Sequence, residues 1–211
     1  DLHRRRHSFP TRRSSDLSSA LAAITGAQTD RMTRDDGWQL LSIGRHVERL
    51  GFLAGALELG LSSGSLQTEG GFDAMVALFD STITFRAQFQ QSHELIALLD
   101  LLVMDRDNPR SLAWVVHTLR GRLAKLAGSA PTEIGGLGLK LPDPAAWDLA
   151  ALWSMDAEPL PEKDGQPLKA REFPALAALL ESCRLSAFQV SDDISVTYFT
   201  HAAPPEQTGA S

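Results

Sequence analysis

From Asp35 to about Leu61, apolar residues recur at three- and four-residue steps. Trp38, Leu41, Phe52, Gly55 and Leu59 share one stripe, with Arg45 and Glu48 set into it. That is the period of a helix. Asp35 or Asp36 can cap its start and "SSGS" (62–65) ends it. A second helix is predicted over residues 72–90, with Met75, Leu78, Phe79, Thr82, Phe85, Arg86 and Phe89 on one face. Val76 and Ile83 make its other side partly apolar, which suits a central position. A third helix runs over residues 93–104. In "DRDNPRS" (105–111), Asn108 suits an N-cap and Pro109 the first helical position, where a missing N–H costs nothing. The fourth helix then carries Leu112, Val115, Val116, Leu119, Leu123 and Leu126, and Gly128 ends it. "DP" (143–144) starts a fifth around "AAWDLAALWSM". Residues 157–172, with Pro159, Pro161, Gly165 and Pro167, read as an exposed linker. A last helix over 174–201 puts Leu176, Leu180, Cys183, Ala187, Val190, Ile194 and Tyr198 on one stripe, and residues 202–211 read as a disordered tail. With no alternating strand pattern, the expectation is an all-α fold, a bundle of about five to six helices.

Charge divides the chain. The formal charge is −6, but the first seventeen residues hold five Arg and two Asp (+3), which leaves −9 on residues 18–211. An acidic body lacks the basic face that phosphate neutralisation needs, so nucleic acid is not expected as a partner. Cys183 is the only cysteine, which excludes an internal disulfide and suits a reducing, cytoplasmic setting. The longest apolar run, "LIALLDLLVM" (95–104), is broken by Asp100 and too short to span a membrane. Residues 1–17, "DLHRRRHSFPTRRSSDL", lack hydrophobic periodicity, and the composition changes abruptly at Ser18. They could be a basic arm. They also resemble translated sequencing-adapter read-through, and on that ground they are set apart from fold reasoning as a non-native or disordered segment.

Three charges fall within one helical turn in "GRHVER" (44–49). Arg45 to Glu48 is i,i+3 and Arg45 to Arg49 is i,i+4, so the heads can converge and Glu48 can bridge both guanidiniums. One reading is a structural ion network on the core-facing surface. The other is an anion site, since Arg forks bind carboxylate or phosphate in bidentate geometry. Arg86, on the apolar stripe of its own helix, joins this candidate cluster. Asp105, Asp107 and Asn108 are hard oxygen donors, but an EF-hand needs Gly where Arg110 stands and Glu where Val116 stands. A helix-cap motif of Asp105, Asp107, Asn108 and Arg110 is expected instead, with Arg110 paired to one of those Asp residues. His46, His93, His117 and His201 show no metal-ligand spacing, and "GGLG" (135–138) is no phosphate loop. No metal or cofactor is expected. Ser81, Cys183 and Tyr198 have no base at recognisable spacing, so no catalytic residue is assigned.

"GWQLLSIGRHVERLGFLAGALEL" resembles the Glu-Arg helix of the alpha-E family, a group of bacterial all-helical proteins. "FDSTITFRAQF", "LDLLVMDRDNPRSLAW" and "SDDISVTYFTH" resemble later segments of that family in the same order, so the resemblance spans residues 37–201. The family has an earlier helical portion with its own Glu-Arg motif, so the resemblance implies the C-terminal part of an N-terminally truncated domain, over residues 18–201. Alpha-E domains occur beside or fused to circularly permuted ATP-grasp proteins, and near transglutaminase-like proteins. The resemblance therefore implies a non-catalytic helical module that supports an ATP-grasp-type amide ligase, in cis or as a subunit, in peptide synthesis or protein modification. Two alternatives stand beside it. One is an enzyme domain that holds an anionic peptide or phosphorylated intermediate on the Arg/Glu cluster. The other is a helical protein-interaction scaffold.

Overall fold

The computed structural model describes residues 11–90, 92–128, 136–154 and 173–199, and among these every regular element is helical. The linker at 157–172 and the tail at 202–211 lie outside the described residues. Where one domain was expected, the chain groups into two compact units, Asp1–Gln39 and Leu40–Ser211.

The first unit contains α1 (Thr11–Arg31) and the opening turn of α2 (Asp36–Ser62). No apolar period marks α1 in the sequence. Its helicity follows from alanine content (Ala20, Ala22, Ala23 and Ala27) more than from an apolar stripe. It begins inside the segment set apart on composition; residues 1–10 lie outside the described residues. Asp35 caps α2, its Oδ1 accepting the Trp38 N–H at 3.0 Å. The Arg34 guanidinium lies 4.1 Å from the centre of the Trp38 ring.

The second unit holds a continuous aliphatic core. Ile43, Val47, Leu50, Ala54 and Leu57 form the inward face of α2. α2 gives way to a 3₁₀ turn, Ser65–Gln67, and then to α3 (Glu69–Leu78). The Thr68 hydroxyl caps α3 by accepting the Gly71 N–H at 3.1 Å. A Cβ on Gly71 would sit 2.1 Å from the Ser65 carbonyl oxygen, so this corner requires glycine.

The single helix expected over 72–90 is two. α3 stops, and α4 (Thr82–Phe89) starts after a break centred on Asp80. Asp80 takes a left-handed φ of 50°, its N–H donates to the Ala77 carbonyl, and the Ser81 N–H donates to that of Val76. This is a Schellman ending with Asp in the place usually held by Gly. The break resets the helical phase. Met75, Phe79 and Phe85 stay buried, whereas Leu78, Ile83 and Arg86 face solvent.

α5 (Leu95–Leu99) continues as a π turn over Asp100–Met104, which the Asp105 N–H closes on the Asp100 carbonyl. α6 spans Leu112–Leu126, and its N-cap is Ser111, not Asn108. The Ser111 hydroxyl accepts the Trp114 N–H at 3.1 Å and donates to the Asp105 carbonyl. Gly128, at φ 71°, follows the end of α6. The expected fifth helix is reduced to short turns. Asp143 caps a 3₁₀ turn at Pro144–Ala146 and Asp148 caps α7 (Leu149–Leu152), because each carboxylate ends one run and starts another. α8 (Pro174–Ile194) buries Leu176, Leu180, Cys183, Ala187, Val190 and Ile194 as the spacing predicts. A π turn then covers Ser195–Phe199, and the added residue per turn carries Tyr198 off the stripe to an exposed position. α2 and α8 run side by side. A Cβ on Gly51 would lie 3.8 Å from that of Ala187, and Arg184 Nε meets Glu58 at 3.1 Å.

Candidate functional site

The expected core-facing position of Arg45, Glu48 and Arg49 is not observed. Arg45 is half-buried, and Glu48 and Arg49 are exposed. Their stripe continues through Phe52 and Leu59, which are 57% and 68% exposed. Both sides of α2 are apolar enough to pass for a core face, and the wholly aliphatic one has won. A fully buried Leu contributes about 1.5–3 kcal/mol relative to an exposed one, and Leu50 and Leu57 both gain this. Burying the charged stripe would cost the desolvation of three ions. Glu48 does not bridge the guanidiniums: its side chain makes no ion pair or hydrogen bond among the described residues.

The structure assembles a different cluster around this turn. The His46 ring stacks on Trp114 of α6 with centroids 5.9 Å apart, and its Nδ1 lies 2.7 Å from the Ser42 carbonyl oxygen, which accepts from the Nδ1–H tautomer. Burial lowers the His46 pKa. The guanidiniums of Arg122, Arg49 and Arg45 push it the same way, against the hydrogen bond to Ser42. Arg49 is solvent-exposed, yet enough protein surrounds it for partial burial to lower its pKa. Repulsion from Arg110 adds to this and attraction to Asp80 opposes it. Arg45, Arg49 and Arg122 therefore all act on His46, and Arg49 is linked in turn to the Arg110–Asp80 pair.

Arg110 does not pair with Asp105 or Asp107. Its Nε and Nη2 donate to Asp80 Oδ2 at 3.1 and 2.8 Å, which ties the loop before α6 to the break between α3 and α4. Asp105 shapes that loop, its Oδ1 accepting from the N–H groups of Asp107 and Asn108 at 2.9 and 3.2 Å. Asn108 is a buried brace. Its Nδ2 donates to the Leu101 carbonyl at 3.0 Å, and its Oδ1 accepts the Arg110 N–H at 3.1 Å.

Arg86 stands elsewhere, in a cleft between α3 and α4 that none of the arginines around His46 lines. Asp80, Arg110, Trp114 and Arg122 were missed as partners of the Glu-Arg turn because they lie 30 or more residues from it in sequence. Among the described residues, no group of three or more His, Cys, Asp or Glu side chains could hold a metal ion. Cys183 is buried and its thiol is pushed up to about 12, which makes it a core residue and a poor nucleophile. The Ser81 hydroxyl is buried and donates to the Phe79 carbonyl. No helix among the described residues is long and apolar enough to cross a membrane.

Comparison with known proteins returns one family model over residues 2–199. It is Alpha-E, described as a predicted alpha-helical domain with a conserved ER motif. Glu48-Arg49 is the only Glu-Arg dipeptide in the chain. Curated relatives include the uncharacterized proteins Mb2597 of Mycobacterium bovis and Rv2567 of Mycobacterium tuberculosis. Each is 25% identical over 182 residues, covering 85% of this chain and 19% of its own. The chain thus spans about a fifth of the length of the curated relatives it matches. No solved structure matches.

Proposed function

The chain belongs to the Alpha-E family, and from that premise we propose that it is a non-catalytic helical module supporting an ATP-grasp-type amide ligase in the cytoplasm. The exposed face of α2 carries the proposal. Phe52 and Leu59 follow Glu48 along it, and α8, packed beside α2, adds exposed Leu185 and Phe188. Large apolar side chains held at solvent on two adjacent helices are the composition of a protein-docking surface. The extra length of the mycobacterial relatives is in keeping with a module held in cis within a longer polypeptide. A ligase subunit encoded separately, or a transglutaminase-like protein, would use the same face. Co-purification of an ATP-grasp partner with this domain tests the proposal. Phe52→Asp together with Phe188→Asp should abolish that association while the domain still melts cooperatively. Retention of the partner by the double variant would rule out this face.

The positive charge that Arg45, Arg49 and Arg122 place on His46 favours a second reading, in which the Glu-Arg turn binds an anionic peptide or phosphorylated intermediate. Nucleotide turnover by the isolated chain that disappears in Arg45→Ala would put this reading first. With neither turnover nor co-purification, an interaction scaffold for other helices would remain.

A further inference from the structure

α3 and α4 enclose an open cleft of about 960 Å³ whose two walls carry opposite charge. Glu69 and Asp73 are one helical turn apart and line the α3 wall; Arg86 lines the α4 wall. Buried Val76 and Phe85 contribute apolar surface between them. His93 also lines the cleft, its ring 5.2 Å from that of Phe72 and its Nε2 3.5 Å from Asp73 Oδ1. The Arg86 side chain makes no hydrogen bond or ion pair with any described residue, so the cleft is lined by a guanidinium and two carboxylates that do not close on one another.

That charge placement selects by exclusion. A simple anion meets two carboxylates, and a simple cation meets Arg86. A ligand with an ammonium at one end, a carboxylate at the other and an apolar middle satisfies both walls. We propose that the cleft between α3 and α4 binds an amino acid or short peptide, its ammonium on Glu69 and Asp73 and its free carboxylate on Arg86. The volume lies within the range of small-ligand sites. The bond from Arg86 to a carboxylate is charge-assisted and two-pronged. The site is independent of the docking face on α2 and α8, so either can fail without the other.

The test is titration of the full chain, followed by amide chemical shifts, with four probes: Ala-Leu-Ala, its N-acetylated form, its C-terminal amide, and free alanine. Ala-Leu-Ala should shift amides within residues 69–93, and capping either terminus should weaken binding by about tenfold or more. Arg86→Gln should weaken the free-acid peptide by a similar factor and leave the C-terminal amide unchanged. Because Arg86 is exposed, this variant should melt like the parent. Free alanine matching the tripeptide would assign the site to amino acids; weaker alanine binding would assign it to peptides. Equal binding of capped and uncapped peptides would overturn the proposal, as would the absence of shifts in the cleft with every probe. An equal effect of Arg86→Gln on acid and amide would also overturn it.

Discussion

The two faces of α2 share one helical period and have opposite fates. Ile43, Val47, Leu50, Ala54 and Leu57 are sealed in the core, while Arg45, Glu48, Phe52 and Leu59, half a turn away, meet solvent or its edge. A helix that is apolar all round identifies itself as a helix but not by its inward side, because both stripes satisfy the same period. What separates them is the cost of burying ions, which an aliphatic stripe does not incur.

The sharpest way to break this comparison is to truncate one residue on each face. Leu50→Ala should lower the unfolding free energy by about 2–5 kcal/mol, the range for a large aliphatic cut from a packed core. Phe52→Ala, despite removing more atoms, should stay within about 0.5 kcal/mol. Urea denaturation of both variants decides it, and a Phe52 effect equal to that of Leu50 would mean the assignment of faces is reversed.

Glycines on the same helix sharpen the contrast. A Cβ on Gly60 would come 2.9 Å from both Leu66 Cγ and Met75 Cε, whereas one on Gly44 meets nothing within 4 Å. Gly60→Ala should therefore lose stability, because overpacking of about 1–3 kcal/mol outweighs a gain in helix propensity of about 0.5–1 kcal/mol. Gly44→Ala should show that gain alone. Thermal unfolding of the two variants should move in opposite directions.

These contrasts also mark how far the sequence could be read. Element ends with local chemistry were legible: the Asp35 cap, the stop after Ser62, Gly128, and the buried stripe of α8. The break at Asp80 was not, because aspartate can take the left-handed conformation but does not announce it as glycine does. Nor was the cap at Ser111. Asn108 and Pro109 offered an equally good local start, and only burial of Asn108 against the Leu101 carbonyl removes it from that role. Of the candidate site, the arginines on α2 were legible as a helical cluster. Their partners were not, since the Asp80–Arg110 pair and the His46–Trp114 stack depend on tertiary contacts.

His46 lies between the two faces and should report on both through pH. Its folded pKa is lowered from 6.5, by burial first and then by the surrounding arginines. The fold therefore prefers the neutral ring. The contribution of His46 to stability is fully present above pH 6.5 and is lost as pH falls from there through the lowered folded value. The parent chain should weaken over that window, and His46→Gln should flatten the dependence. Arg49→Gln should shift the histidine pKa upward, because one of the repelling cations is gone. A histidine titration by NMR that Arg49→Gln leaves unmoved would mean that the arginines are too far away to form one cluster.

The smallest expected effect belongs to Glu48, the residue that would matter most to stability if the stripe faced inward. A bridging carboxylate between two buried guanidiniums would cost about 3–5 kcal/mol to neutralise, because it would leave unpaired charge inside the protein. An exposed carboxylate beside Arg45 and Arg49 on a helix surface has only a pairwise attraction of about 0.2–0.5 kcal/mol to lose. Glu48→Gln should accordingly leave the melting transition almost where it was, and salt should reduce even that difference. If the outer face of α2 docks a ligase, the same substitution should still weaken partner binding, because a charge that is solvated in the free domain becomes partly desolvated at the interface. Stability held and association weakened would place Glu48 on a working surface. A loss of several kcal/mol from Glu48→Gln in the free domain would instead return the Glu-Arg turn to the core.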